Sequence, residues 1–530
     1  MALFISEKYT IQSSNMSKRN YNVFFHVHTI SGIIISAALF IIFFCGAFAL
    51  IKDEITAWEK GENVNMEIAS DVDYDRAMQS LKDEGLNLTG RDIRMIPPDV
   101  KQKMFVGVSA SKSSNASEED KLSTYYNLHT RTYELSTYYA FYSIGELIYR
   151  LHFFHQIPTY GILTAGFVAF FFLLAIVSGL IVHWKKIVSN FYIFRPKTKL
   201  KTIWTDAHTA LGVIGLPFQF MFALTSSFLC LSSLILLPIN FAYDGNQQQA
   251  LEDLRPMQKT YEWEEQSTGE IPSLNALYEK TQEKWPEFEA AQVYVKNYGG
   301  TNMKFQIDGL LKPDEAFLGH GRIVYDVMSN TITEEKNPQD PGYAETVELA
   351  IRRLHFGDFG GLSLKVIYFA LAIVTCFVIL SGVLIWLEAR DKKHIPEKKR
   401  KFNRALGYFY VAICMSLYPI TAISMLVAKY IPRTIDADRQ SILYAVFFIG
   451  WLLFTLFFSF RKNNYVTTKY SLILGSCFGI LVPIINGLVS GNWMWVMYQQ
   501  DQTAIFFVDI FLICISLITF GILLRMKKPV

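Results

Sequence analysis

Eight long apolar blocks, separated by polar stretches, constrain this chain more than any other feature. They run at roughly 27–51, 161–184, 210–239, 363–387, 405–428, 441–460, 470–489 and 504–524. A hydrocarbon core about 30 Å thick is crossed by about 20 apolar residues in a helix, which satisfies its own backbone in lipid. The chain is 51% hydrophobic and only 18% charged, against about 25% charged in soluble domains. The first 22 residues are polar and carry no signal-peptide pattern, so the first block is expected to be a retained span.

Orientation follows from the basic residues of the short connections. Lys185, Lys186, Arg195, Lys197, Lys199 and Lys201 stand together without an acid among them. The stretch from Arg390 to Arg404 is also basic, as are Arg461-Lys462 and the tail Arg525, Lys527, Lys528, while Lys18 and Arg19 precede the first block. With eight crossings all of these fall on one face, which is therefore expected to be cytoplasmic. The expected organisation is a cytoplasmic segment at 1–22 and spans at 23–51, 151–184, 206–239 and 353–388. Basic loops fill 185–205 and 389–404, outside domains fill 52–150 and 240–352, and a four-helix membrane extension fills 405–530.

Several chemistries are excluded. The six cysteines, Cys45, Cys230, Cys376, Cys414, Cys477 and Cys514, all lie in apolar blocks, so no disulfide framework is expected outside. No Cys-x-x-Cys-His motif, Walker loop, Rossmann glycine fingerprint or paired-cysteine metal site occurs. A net charge of +3 over the whole chain gives no basis for a nucleic-acid partner.

The first four spans repeat. His28-Thr29-Ile30-Ser31-Gly32 begins the first and His208-Thr209-Ala210-Leu211-Gly212 the third. Arg150-Leu151-His152 precedes the second and Arg353-Leu354-His355 the fourth, and Ser178-Gly179-Leu180 and Ser381-Gly382-Val383 come late in them. Each half crosses twice from the same side, a parallel repeat with a pseudo-twofold axis along the membrane normal. The outside segments echo it with a helical pattern (Tyr74 to Leu81; Leu274 to Trp285) followed by alternating strands, such as Lys103 to Val108 and Asn302 to Ile307. Each is expected to form a small α+β unit with an antiparallel sheet, with His129 and His320 on its surface. The fold class is thus a mainly α-helical membrane protein with duplicated two-helix units and two α+β insertions.

A lone boundary histidine is ordinarily an interfacial side chain that reaches into water. Four in matching repeat positions suggest more, because imidazole ligates haem iron and bundle cores hold cofactors. The repeat relates His28 to His208 at one end and His152 to His355 at the other. Two histidines facing each other across a twofold axis can clamp one planar haem, so the four make two stacked b-type sites, with haem iron as the metal. His26 points about 200° away from His28 on a helix. His155 could replace or support His152, lying three residues on. His183 aligns with Trp386 of the other half, and could be an inner ligand or stand behind one. His394 lies in a basic loop. Gly32, Gly212, Gly179 and Gly382 serve close helix packing and would also make room for a porphyrin.

The motifs Tyr149-Arg150-Leu151-His152, Ser178-Gly179-Leu180-Ile181-Val182-His183, Phe191-Tyr192-Ile193-Phe194-Arg195-Pro196, Trp204-Thr205-Asp206-Ala207-His208, Leu216-Pro217-Phe218 and Leu354-His355-Phe356-Gly357 together resemble the PepSY-associated transmembrane-helix family. The resemblance covers roughly 20–390. It implies paired spans around PepSY-like domains in a bacterial inner membrane, with those domains in the periplasm. It also implies a haem-dependent membrane oxidoreductase similar to the di-haem ferrisiderophore reductases of FoxB type, acting in iron acquisition, and it supports His183 as a family position. The expected partners are then a ferric siderophore or other iron chelate, and a membrane quinol or a cytoplasmic reductase as electron donor, in the setting of the lipid bilayer.

The last four spans hold no histidine, and Asp509 is the one acid inside the final span. Such an acid is a functional candidate, proton-linked or paired within the bundle. Two other classes compete with electron transfer. One is a transporter of a siderophore or other solute, and the other a non-enzymatic sensor or scaffold. A transporter needs polar residues spread along the spans, whereas here they cluster at helix ends.

Overall fold

The computed structural model describes residues 16–61, 72–97, 103–184, 187, 191–192, 195, 198, 200–235, 237–246, 249, 259–312, 315–340, 342–431 and 439–526. Lys185, Lys186, Ile193, Phe194, Pro196, Lys197, Lys199, Lys527, Lys528 and most of the polar N-terminal segment lie outside the described residues.

Eight helices among the described residues are long and apolar enough to cross a membrane. The first is α1 (Lys18–Ala49), capped by the Ser17 side chain on the Asn20 amide. It packs on α5 (Gly161–His183), which packs on α7 (Leu216–Ile235). On its other side α1 meets α10 (Gly361–Ala389), which packs on α6 (Leu200–Ile214). The ring α5–α1–α10–α6/α7 closes on itself, and a half-turn exchanges its two halves. The third apolar block is thus two helices broken at Gly215. Pro217 has no N–H for a continuous ladder, and a Cβ on Gly215 would stand 2.6 Å from the Gln219 amide nitrogen.

The second and fourth membrane helices begin at Gly161 and Gly361, close to the apolar blocks and later than the spans expected from 151 and 353. His152 ends a separate helix, α4 (Ile144–His152), and His355 lies near the end of another, α9 (Tyr343–Phe356). Gly357 closes α9 in the left-handed region at φ 64°, a conformation glycine adopts at little cost. Both helices lie at the end of the bundle where α1 finishes, called here the sheet face. The opposite end, where α1 begins, is the N-terminal face.

The two polar insertions build one sheet. Its strands are β1 (Ile93–Ile96), β2 (Lys103–Val108), β3 (Thr124–His129), β4 (Leu135–Thr137), β5 (Phe288–Lys296), β6 (Lys304–Leu311), β7 (His320–Asp326) and β8 (Thr331–Lys336). They run antiparallel in the order β4-β3-β2-β1-β5-β6-β7-β8. Each insertion contributes one four-stranded meander, and β1 joins β5 with Arg94 opposite Tyr294 and Met95 opposite Val293. The expected pair of separate sheets would leave each first strand with an open edge, which invites unwanted pairing. Joining the two first strands removes both edges. One sheet face buries Met95, Val106, Val293, Phe305 and Ile307 in a core shared with α3 (Tyr74–Asp83) and α8 (Leu274–Lys284).

The remaining membrane helices are α11 (Glu397–Met415) with α12 (Leu417–Tyr430), α13 (Arg439–Phe460), α14 (Asn464–Ser490) and α15 (Thr503–Arg525). They join the histidine-bearing ring at α2 (Lys52–Lys60), a short helix after α1 that packs on α4, α12 and α15. Residues Glu54 to Lys60 of α2 are all buried, charged side chains included.

Candidate functional site

The four repeat-related histidines form two pairs. The ring centres of His28 and His208 are 6.3 Å apart, and those of His152 and His355 are 6.1 Å apart. The first pair lies at the N-terminal face and the second at the sheet face. His28 and Ile42, the α1 residue beside His152, are separated on that helix by about 21 Å.

Each ring is oriented through Nδ1. His28 Nδ1 donates to the Ala175 carbonyl at 2.7 Å, and His208 Nδ1 to the Val378 carbonyl at 2.9 Å. His152 Nδ1 donates to the Ile42 carbonyl at 2.7 Å. His355 Nδ1 lies 3.0 Å from the Thr225 hydroxyl. A helical carbonyl has a second lone pair beyond its ladder bond, so these contacts cost the helices nothing. Of the two ring nitrogens only an N–H can donate to a carbonyl, which fixes the Nδ1–H tautomer and leaves Nε2 with a free lone pair, able to accept a metal, in at least three of the four rings.

Glycines let the rings approach. A Cβ on Gly179 would stand 2.8 Å from the His28 ring, one on Gly46 2.7 Å from His152, and one on Gly382 3.1 Å from His208. Gly179 and Gly382 thus admit an imidazole. Gly32 and Gly212 border open space: a Cβ would meet nothing within 4 Å at the first and only Val378, at 4.0 Å, at the second.

The arrangement can be tested against a metal. No group of three or more His, Cys, Asp or Glu side chains gathers among the described residues. A metal held by two imidazoles must bring its other ligands, as haem iron does with its porphyrin. Two imidazoles on opposite sides of one iron, each nitrogen about 2 Å from the metal and about 1 Å from its ring centre, have centres about 6 Å apart. Both pairs match that spacing. Between the pairs, Phe43 meets Phe172 at 5.5 Å and Phe218 at 6.4 Å, Phe218 meets Phe222 at 4.4 Å, and Phe222 meets His355 at 5.0 Å. These rings make the space between the sites largely apolar, with the buried Gln219 amide donating to the Thr375 hydroxyl at 3.4 Å.

The other histidines are placed apart. His155 is exposed, with Nε2 2.8 Å from Arg150 Nη1 and its ring against Phe153, so it is not brought to the His152–His355 pair. His183 ends α5, exposed, near enough to His28 and His208 for their charges to interact. His26 and His394 are exposed, and the His129 Nδ1 accepts two turn amides, from Arg131 and Thr132. His320 differs from its expected surface position. It is half-buried with an unpartnered Nδ1, and burial, with Lys336 and Arg322 nearby, pushes it down to about 4.

Three positioning groups have no strong signal of their own in the sequence. Thr225 holds His355, Ser381 lies 3.2 Å from His208 Nδ1, and Asp206, in the Trp204–His208 motif within α6, takes a bidentate pair from Arg195 at 2.9 and 2.7 Å. Ser381 was legible only through its repeat partner Ser178. Asp509 is fully buried, accepting from Trp58 Nε1 at 2.7 Å and from the Asn486 amide at 2.8 Å.

Residues 25–389 match the family described as the PepSY-associated TM region. The uncharacterized protein PA4219 of Pseudomonas aeruginosa is 21% identical over 274 residues, covering 50% of this chain and 67% of its own length. The family match runs from α1 through α10 and leaves the last four membrane helices outside it. This multi-pass membrane protein, with its histidine-bearing helix ring and joined sheet, belongs to the PepSY-associated transmembrane family.

Proposed function

We propose that this chain is a transmembrane electron-transfer protein that holds two b-type haems and reduces a ferric chelate, of the siderophore class, at the sheet face. His28 and His208 would hold one haem, and His152 and His355 the other. The observation that carries this reading is the pair of imidazole pairs at 6.3 and 6.1 Å, with Nδ1 engaged in every ring. Bound haem supplies one-electron ferric/ferrous chemistry.

The chain's own contribution is orientation and exclusion. The groups on Nδ1, three carbonyls and the Thr225 hydroxyl, would raise the basicity of the ligating nitrogen and fix each ring's orientation. The phenylalanine-filled space between the pairs keeps water out. In this reading the N-terminal face lies in the cytoplasm, which the basic connections support, and the sheet in the periplasm of a bacterial inner membrane, in keeping with the family. Membrane quinol or a cytoplasmic reductase would then supply electrons at the His28–His208 end. A ferric chelate reduced at the sheet face loosens, because hard oxygen donors hold ferrous iron less tightly than ferric.

Purified protein tests this directly. The expected absorption spectrum shows about two non-covalent b haems per chain, reducible by dithionite. Reduced protein mixed anaerobically with a ferric siderophore should reoxidise and release trappable ferrous iron, and His355→Ala should slow that step. A colourless protein, or reoxidation by quinone but by no ferric complex, would remove the siderophore reading.

A further inference from the structure

Buried hydroxyls in the histidine-bearing ring donate within their own helix, Ser36 and Ser381 to the carbonyl three residues back. Ser31, Ser178, Thr225, Ser227 and Thr375 each donate to the carbonyl four residues back, the usual way a hydroxyl is satisfied inside a membrane helix. In the C-terminal helices Ser459 and Thr519 do the same, but several buried polar groups do not. Ser471 on α14, Ser516 on α15 and the Tyr418 hydroxyl on α12 are buried without a hydrogen-bond partner, and so is the Asn486 carboxamide oxygen on α14. An unpaired polar atom in a lipid-bounded core is costly, and four of them on three touching helices call for a shared occupant.

They line up. On α14, Ser471, Gly475, Gly479 and Asn486 share one face at helical spacing. The Tyr418 ring lies where a Gly475 Cβ would stand, its hydroxyl is 4.0 Å from the Cβ position of Gly479, and the Ser516 hydroxyl packs on Gly479. Seven residues on, Asn486 meets Asp509, seven residues back from Ser516 on antiparallel α15. The registers therefore agree. Pro483 adds a further polar atom, because it has no N–H for the Gly479 carbonyl four residues back. From Ser471 to Asn486 this face extends about 22 Å, most of a bilayer core.

Its sheet-face end is closed by Asp509. Trp58 Nε1 covers one carboxylate oxygen and the Asn486 amide the other. Lys429 on α12 donates to the Trp58 carbonyl and places its charge near Asp509. The next acids on α2 are already engaged, Glu59 by Arg439 and Glu54 by Lys365. A resident ammonium beside the carboxylate competes with any metal cation, whereas a proton needs only a chain of hydroxyls and water.

We propose that this polar face of α14, with Tyr418 and Ser516, is a proton half-channel that loads and unloads the Asp509 carboxylate from the N-terminal face. Loading forms one O–H bond at Asp509 as a hydronium ion drawn from solvent at the N-terminal face and relayed along the hydroxyls gives up its proton, which leaves one water. No electrons move, and the inference does not rest on the haem reading.

Infrared difference spectroscopy of the full chain in lipid nanodiscs tests it. Lowering the pH stepwise from about 8 to about 5 should raise a protonated-carboxyl band that Asp509→Asn removes. On mixing with heavy water that band should shift about tenfold more slowly in Tyr418→Phe/Ser516→Ala than in the parent chain. Neither change adds volume. Should the double variant lose its fold, Ser471→Ala read the same way replaces it. Absence of an Asp509 band over that range, or equal exchange in parent and variants, would overturn the proposal and leave Asp509 a sealed partner of Lys429.

Discussion

Arg439 Nη2 donates to Glu59 Oε1 at 2.6 Å, and the other oxygen of the same carboxylate accepts the backbone N–H of Ile144 at 2.7 Å. Ile144 opens α4, the helix that ends in His152. Arg439 is 3% exposed and Glu59 4%, and the guanidinium also donates to the carbonyls of Tyr142, Ile431 and Ala428. A carboxylate at a helix N-terminus is favourable, so the C-terminal extension braces the helix of one candidate ligand. Removing one partner of such a buried pair costs about 3–5 kcal/mol. Arg439→Gln is therefore expected to lower the thermal midpoint of the solubilised protein and, under the proposed two-haem reading, to weaken the sheet-face haem before the other one. Redox titration of the two haems checks the order. Glu59→Gln/Arg439→Met should recover part of the stability, since guanidinium and carboxylate leave together, and Lys60, 3.5 Å from the Glu59 carboxylate, keeps that recovery incomplete.

The glycines beside the histidines separate the two pairs experimentally. Gly46→Ala forces the His152 ring to move and should cost the sheet-face haem alone, while Gly179→Ala displaces His28 and should cost the N-terminal-face haem alone. The corresponding histidine-to-alanine variants should give the same split. Pyridine-haemochrome quantitation reads each loss. Both haems retained in all of these variants would refute the ligand assignment.

The seam between the insertions is open to cross-linking. Arg94 on β1 stands opposite Tyr294 on β5, and facing residues in an antiparallel pair have Cα atoms about 4.5–5.5 Å apart, within disulfide range. Arg94→Cys/Tyr294→Cys should form a disulfide under mild oxidation, tying together fragments produced by cleavage between the two insertions. Gel mobility with and without reductant shows it, and two independent sheets would give no cross-link.

Lys296 gives the sheet a pH signature. Burial pushes it down to about 8 from an ordinary 10.5, outweighing the attraction of Asp92 and Asp308. Between those values the unfolded chain binds a proton that the folded chain does not. Stability of the β5–β6 region should then rise with pH across that window, by at most about 1.4 kcal/mol per pH unit. Below about 8 both states carry the proton and the effect is absent. Amide exchange of β5 and β6 in the full chain, corrected for intrinsic rates, should show the rise, and Lys296→Met should flatten it.

Reporter fusions address orientation. Junctions after residues 190, 395 and 465 should report cytoplasm, and junctions near 110 and 290 the other side. A cytoplasmic signal at 290 would contradict the duplicated-half topology.

Much of the candidate site was legible before any coordinates. The repeat of His28 in His208 and of His152 in His355 already matched the four side chains in two pairs, because symmetry-related positions can face each other across one twofold axis, and the rings do. The demotion of His26 rested on helical angle alone and agrees with its exposed position. His155 was harder, since three residues of spacing put it near His152 only if the helix continued. The helix stops at His152, and the turn that follows carries His155 to Arg150.

The sequence by itself determined the spans, the duplication and which histidines belong together. Those properties reside in hydrophobic run length and in self-similarity, which are local or periodic. Tertiary structure alone decided that the two insertions share one sheet, that two histidines sit on helices beside the spans, and that Nδ1 is the engaged nitrogen. It also decided that Asp509 lies against Trp58, 451 residues away in the chain. Strand edges and carbonyl lone pairs carry no side-chain signature, and the partner each selects depends on geometry that exists only after the helices have packed.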